Sequence, residues 1–188
     1  MIERIYNPSE KVEFSLKIEK VKGVVEISGP ASVSEFLNKY KELPREVGVV
    51  LHLDMNFEAK FVQQVCIGSK QSCSFNTTDI FKSAIVNESD AIILVHNHPQ
   101  ERNARPTAED TDITRRLRAV GLEAKLPLVD HLVFGTEKYY SYREKGVIFP
   151  QGGIYIEEIG SLSVGKHKKA KSDLLKMVGR IDRDFIMR

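Results

Sequence analysis

The sequence predicts an α/β fold, a mixed β-sheet flanked by helices, and three observations carry that prediction. The run Ala91-Ile92-Ile93-Leu94-Val95 is apolar on both faces, as a central buried strand must be. Segments with period-2 spacing lie on either side of it, and segments with helical spacing follow capping residues before and after it.

Each element can be justified in order. Phe14, Leu16 and Ile18 alternate with Ser15, Lys17 and Glu19, which is strand spacing, and Gly29-Pro30 precedes a helix capped near Ser32 that must end by Pro44. Val47, Val49, Leu51 and Leu53 share one face of the next strand. The chain turns at Asp54-Met55-Asn56 into a partner through Phe61, Val65 and Ile67. Asn76 offers a helix cap, with Ile80, Phe81, Ala84 and Ile85 at helical spacing behind it. Beyond the buried strand, a helix over 107–120 turns Ile113, Leu117 and Val120 to one side. It places acids in its first turn and Arg115, Arg116 and Arg118 near its end, an order that suits the helix dipole. Short strands are expected at 129–134 and 139–142. A further strand at 154–159 leads through a Lys, Ser and Gly-rich stretch to an amphipathic helix capped by Ser172, with Leu174, Val178, Ile181 and Phe185 on one stripe. This gives an N-terminal β extension over 1–30, a central domain over 31–150 and a C-terminal extension over 151–188.

Composition narrows the class. A chain of 188 residues with 41% hydrophobic residues can fill one core, and a mean hydropathy of −0.26 with 29% charged residues argues against a membrane protein. The N-terminus has no apolar run of the kind a secretory signal needs, so a cytoplasmic location is expected. The net charge of +2 hides an asymmetry: residues 161–188 carry a net +5 and residues 1–160 a net −3. The basic tail is therefore the segment suited to an anionic partner, nucleic acid included, while its helix is expected to dock on this chain, a twin subunit or a partner protein. Cys66 and Cys73 match no metal-ligand spacing and are expected to be reduced.

The chemistry concentrates at the end of the buried strand, where His96-Asn97-His98-Pro99 stands. Residues two apart on a strand point the same way, so both imidazoles can converge on one metal ion, and Pro99 stops the pairing. Two histidines leave a zinc site incomplete. Glu101, Glu109, Asp110 and Asp112 are the acids within reach, and Asp110 is favoured because the first turn of the following helix can face the strand end. Thr107-Ala108-Glu109-Asp110 also has the form of a capping box, which by itself would explain both Thr107 and Asp110.

His96-x-His98-Pro99, seven residues, then Thr107-x-x-Asp110 resembles the JAMM/MPN+ metalloprotease pattern, H-x-H-P-x7-[S/T]-x-x-D. The surroundings, Thr114-Arg115-Arg116-Leu117, Asp130-His131-Leu132-Val133-Phe134-Gly135 and Tyr139-Tyr140-Ser141-Tyr142-Arg143-Glu144-Lys145-Gly146, are similar to its RadC-like branch, as is Asn97. The resemblance spans about residues 30 to 150 and implies a JAB/MPN-like (cytidine-deaminase-like) fold. It implies His96, His98 and Asp110 as ligands of Zn2+, Glu46 as general base and acid, and Thr107 as the hydroxyl near a developing oxyanion. It also implies cleavage of a peptide or isopeptide bond, with a ubiquitin-like protein or its conjugate as substrate. The chain departs from the RadC-like pattern in two places: Gln100-Glu101 stands where Ser-Gly usually follows the His-Pro, and Thr107 replaces Ser while keeping the hydroxyl.

Two other functions compete. The RadC name suggests a DNA-associated accessory protein with a vestigial metal site, which the basic tail alone supports. A metal-dependent nuclease is disfavoured, because its His-Asn-His residues are normally spread over a longer ββα element and here they are consecutive. His131, beside Asp130, is expected in the core or behind a ligand, and His52 and His167 carry no assigned role.

Overall fold

The computed structural model describes residues 4–7, 10–12, 17–68 and 74–147. A small antiparallel pair, β1 (Arg4–Asn7) and β2 (Glu10–Val12), is separate from the main sheet. Among the described residues the main sheet has six strands: β3 (Ile18–Lys20), β4 (Val47–Leu53), β5 (Ala59–Ile67), β6 (Ala91–Asn97), β7 (Leu128–Phe134) and β8 (Tyr139–Ser141), in the spatial order β3-β5-β4-β6-β7-β8. Only β6 and β7 pair in parallel, so the sheet is mixed, as expected. The predicted strand at 154–159 and the helix after Ser172 lie outside the described residues.

Among the described residues, three α-helices cover the sheet: α1 (Pro30–Phe36), α2 (Thr77–Val86) and α3 (Ala108–Glu123). The parallel pair β6–β7 requires a crossover, and α3 supplies it. Its sixteen residues run back about 24 Å, close to the length of seven-residue β6, so its first turn returns to the level where β6 ends. That geometry brings residues 107–110 over the C-terminal end of β6.

Alternation along the buried strands splits the core in two. Val49, Leu51, Ile93, Val95, Leu132 and Phe134 pack with Val33 and Leu37 on the α1 face, while Val50, Ile92, Leu94 and Val133 pack with Ile80, Ile113 and Leu117 on the α2/α3 face. Fully burying such side chains stabilises the fold by about 1.5–3 kcal/mol each. By the same period, His96 and His98 face α3, and Asn97 faces the opposite layer.

Four expectations need correction. The cap of α1 is Gly29, and Ser32 sits at its third position, where its Oγ accepts the Gly29 N–H at 3.1 Å; the helix stops at Phe36 and a 3-10 turn over Asn38–Tyr40 follows. Ile85 is 62% exposed, because α2 buries only the stripe of Ile80, Phe81 and Ala84. α3 continues to Glu123, so its arginines lie mid-helix with none in the last turn, and the expected dipole pairing at its C-terminus is lost. Cys66 is disulfide-bonded, not reduced; Cys73, the other cysteine of the sequence, lies outside the described residues. The expectation of free thiols rested on compartment, which says nothing about whether two sulfurs are within reach.

Candidate metal centre

The antiparallel register of β4 and β6 positions the first part of the site. Gly48 pairs with His96, and continuing that register two places sets Glu46 opposite His98, on the same face. Glu46, His96, His98 and Asp110 are all buried, at 8%, 1%, 7% and 7% exposure. Four ionisable groups left with so little water need one another or an ion.

Among the described residues, His96, His98 and Asp110 form a group able to hold a metal ion. His96 Nε2 lies 3.1 Å from His98 Nε2 and 3.1 Å from Asp110 Oδ1, and His98 Nε2 lies 3.6 Å from Asp110 Oδ2. A tetrahedral ion about 2.0–2.1 Å from each ligand sets its ligands about 3.3 Å apart. The two separations from His96 Nε2 are close to that edge length, and two imidazoles with one carboxylate would leave a fourth position open, as catalytic zinc sites do. The rival acids do not join them. Glu101 approaches the far nitrogen of His98, Nδ1, at 3.6 Å, Glu109 is exposed, and Asp112 pairs with Arg115 at 3.3 Å.

The capping box forms, and the same carboxylate also faces the histidines. Asp110 Oδ2 accepts the Thr107 N–H at 2.7 Å, and Thr107 Oγ1 accepts the Asp110 N–H at 3.1 Å, while Oδ1 remains directed at His96. Burial opposes ionisation of Asp110, but the hydrogen bond and charge of His96 and the bonds from Thr107 outweigh it and hold the carboxyl below its ordinary range. Glu46 moves the other way. Burial raises its pKa, His98 lowers it in part, and the carboxylates of Asp110 and Glu101 raise it further. Thr107 is exposed at the lip of the site.

Several further residues pack behind the site. Asn97 Oδ1 accepts the Val47 N–H at 2.7 Å, and its Nδ2 donates to the carbonyls of Arg45 at 3.0 Å and Leu43 at 3.3 Å, so one amide grips the backbone on both sides of Glu46. A polar residue inside an otherwise apolar buried strand was the signal for it. His131, fully buried, meets His96 Nδ1 through Nε2 at 2.8 Å and Thr114 Oγ1 through Nδ1 at 2.6 Å, which places it in the core behind His96, as expected. Burial holds the His131 pKa well below the usual imidazole value. Thr114 was legible only as the residue one turn after Asp110 on the same helix face.

Phe75 closes one side, its ring 5.7 Å from the His96 ring and directly over Gly48, where a Cβ would come within 2.2 Å of it. His52 plays no part here: it is buried against Ser89 Oγ at 2.8 Å and Gln63 Oε1 at 3.0 Å. His167 lies outside the described residues.

A family model described as "RadC-like JAB domain" matches residues 27–147. The chain belongs to the RadC-like JAB domain family. The domain is also similar to proteins named "UPF0758 protein": 36% identical over 124 residues to one from Chloroflexus aggregans, covering 65% of this chain and 54% of that protein. It is 31% identical over 137 residues to one from Aquifex aeolicus, covering 73% and 59%. A third, from Clostridium botulinum, is 35% identical over 123 residues, covering 65% and 54%. This RadC-like chain thus spans a little over half the length of the curated relatives it matches. The match ends before the basic residues 161–188. None of the described helices is long and apolar enough to cross a membrane.

Proposed function

We propose that this chain is a JAMM-type zinc metallopeptidase that hydrolyses a peptide or isopeptide bond, with the tail or conjugate of a ubiquitin-like protein as its substrate class. The observation that carries the reading is the convergence of His96, His98 and Asp110, at tetrahedral ligand spacing, beside a buried glutamate facing the same way. Bound zinc supplies a Lewis acid that polarises a carbonyl and lowers the pKa of water to about 7. His96 Nε2, His98 Nε2 and an Asp110 oxygen would hold it.

The remaining work falls to the chain's own groups. Glu46, with its pKa raised by burial, is suited to take a proton from the attacking water and return it to the leaving amine. Asn97 fixes the backbone that carries that carboxylate. The Thr107 oxygen is occupied by the Asp110 N–H, so its hydroxyl hydrogen is the part left to donate to the carbonyl oxygen of a substrate. Phe75 forms an apolar wall that excludes water from one side. The positive charge of residues 161–188 lies beyond the matched residues, and we assign it to recruitment and not to chemistry.

The test is zinc content and hydrolysis in the wild type and in Glu46→Gln, across ubiquitin-like proteins extended by a C-terminal tail or joined by an isopeptide bond. One zinc per chain in both proteins, with cleavage lost in Glu46→Gln, supports the reading. Zinc in both and indistinguishable cleavage across the panel would overturn it.

A further inference from the structure

His131 touches no substrate position, yet both of its ring nitrogens are committed inside the protein, and the order of donors along its contacts can be worked out. Thr114 Oγ1 lies 2.5 Å from the carbonyl oxygen of Asp110, which can only accept, so the hydroxyl hydrogen is directed there. The Thr114 oxygen then accepts from His131 Nδ1 at 2.6 Å. His131 has no exposed surface, and the groups its nitrogens meet, a hydroxyl and an imidazole, include no carboxylate, so an imidazolium there would be a buried charge with no anion bonded to it. A neutral ring with its hydrogen on Nδ1 has a lone pair on Nε2, and that atom lies 2.8 Å from His96 Nδ1. His96 Nδ1 is therefore the donor. In neutral His96 the lone pair then falls on the other nitrogen, Nε2, the atom that lies 3.1 Å from His98 Nε2 and from Asp110 Oδ1.

We propose that Thr114 and His131 are positioning residues that lock neutral His96 into the Nδ1–H tautomer, so that Nε2 is the nitrogen left to bind an arriving metal ion. The final step rests on the metal-centre reading above; the tautomer itself does not. An imidazole without a fixed partner can carry its hydrogen on either nitrogen, and hydrogen on Nε2 blocks coordination. Metal-bound histidines usually donate their second N–H to a carboxylate or carbonyl. Here the acceptor is a second neutral imidazole, whose own tautomer is set by a hydroxyl anchored to the ligand-bearing helix α3. The ring of His131 is further held by Tyr142, stacked on it at 5.1 Å with planes 7° apart.

The relay makes Thr114 the residue to change, because its hydroxyl is bonded to the Asp110 carbonyl and to His131 and not to a side-chain atom of the candidate metal site. Thr114→Val keeps the shape and deletes the hydroxyl, and Thr114→Ser restores it. Long-range proton–nitrogen spectra of the full, metal-free chain at about pH 8, above the ordinary imidazole pKa, report which nitrogen of His96 carries hydrogen. Zinc affinity is read separately by chelator competition. The wild type and Thr114→Ser should show His96 hydrogen on Nδ1. Thr114→Val should show the Nε2–H form emerging and bind zinc about 10–100-fold more weakly. Hydrogen on Nε2 in the wild type, or a Thr114→Val protein that keeps both tautomer and zinc affinity, would overturn the proposal. If Thr114→Val does not fold, the wild-type spectrum decides alone. A chain with the Nδ1–H tautomer that cleaves no peptide would sink the peptidase reading and leave this one standing.

Discussion

Asn97 is bonded to the backbone of Val47, Oδ1 to N–H at 2.7 Å, and through that contact the middle residue of the His-Asn-His triplet positions Glu46 across the sheet. The two histidines and the asparagine point to opposite faces of β6, so the strand serves both halves of the site at once. Asn97→Ala removes the acceptor of the buried Val47 N–H and the donors to the part-buried carbonyls of Leu43 and Arg45, and should cost about 1–3 kcal/mol of stability, mostly for the unsatisfied Val47 N–H. Exchange of the Val47 amide should speed up by about tenfold or more, while zinc binding is retained, since no ligand is touched. Hydrolysis should fall by up to about 100-fold through misplacement of Glu46. An unchanged Val47 amide would show that the strand pairing, and not Asn97, holds this turn.

Asp110 divides its oxygens between a helix cap and the metal position, and the two roles can be separated by measurement. In Asp110→Asn one oxygen remains, and it cannot serve both the Thr107 N–H and the ligand position. Loss of a cap is worth only about 0.5–2 kcal/mol. Loss of the carboxylate ligand removes the stabilisation that zinc confers on the folded state, about 2.7 kcal/mol at a hundredfold excess over Kd. Thermal unfolding with and without zinc should therefore raise Tm by about 5 °C or more in the wild type and by almost nothing in Asp110→Asn. Equal shifts would remove Asp110 from the ligand set.

Most of this arrangement was legible in the sequence wherever one residue's periodicity or spacing decided the outcome. The apolar run before His96 fixed the central strand, and the Thr107-to-Asp110 spacing fixed the first turn of α3. What escaped were relationships between elements distant in the chain. Asn97 gains its meaning from residues about fifty positions earlier, and His131 from its fit between His96 and Thr114. Neither pairing leaves a periodic trace in a single sequence. The length of α3 was underestimated because Val120, 39% exposed, is not the last apolar contact; Leu122, one position beyond Gly121, is buried.

Gly135 shows how tightly the loop after His98 is docked. A Cβ there would come within 2.7 Å of Arg102 O and Ala104 N and 2.8 Å of Glu101 O, all backbone atoms that cannot rotate away. The same loop is tied down by the Thr136 N–H on Glu101 O at 2.8 Å. Gly135→Ala should lower stability by about 1–3 kcal/mol, as overpacking does, and shift residues 101–104. Because His98 and Thr107 bracket that loop, zinc affinity should fall along with Tm. A protein with wild-type Tm would show that the loop yields freely.

Asp130 gives the fold a pH dependence of definite sign. It has no exposed surface, and burial pushes its carboxyl up to about 7 against hydrogen bonds from Ser141, the Arg143 N–H and the His131 N–H, which lower it. Between the ordinary value of 3.8 and about 7 the native state holds a proton that the unfolded state has released, so stability falls as pH rises through this window and levels off above it. The slope from this one group is at most about 1.4 kcal/mol per pH unit. Glu46, raised like Asp130, acts in the same direction, whereas His52 and His131, buried and depressed in pKa, act in the opposite one, losing stability as pH falls below 6.5, so the total curve mixes several groups. Asp130→Asn isolates the contribution of Asp130. The amide oxygen can still accept from the His131 and Arg143 N–H groups, and the new NH2 can donate to Ser141 Oγ, now 2.5 Å from the carboxylate. Denaturant unfolding from about pH 4 to 8 should show Asp130→Asn gaining on the wild type steadily up to about pH 7 and then running parallel to it. Curves that stay parallel throughout would mean that Asp130 ionises in the folded protein at its ordinary pKa.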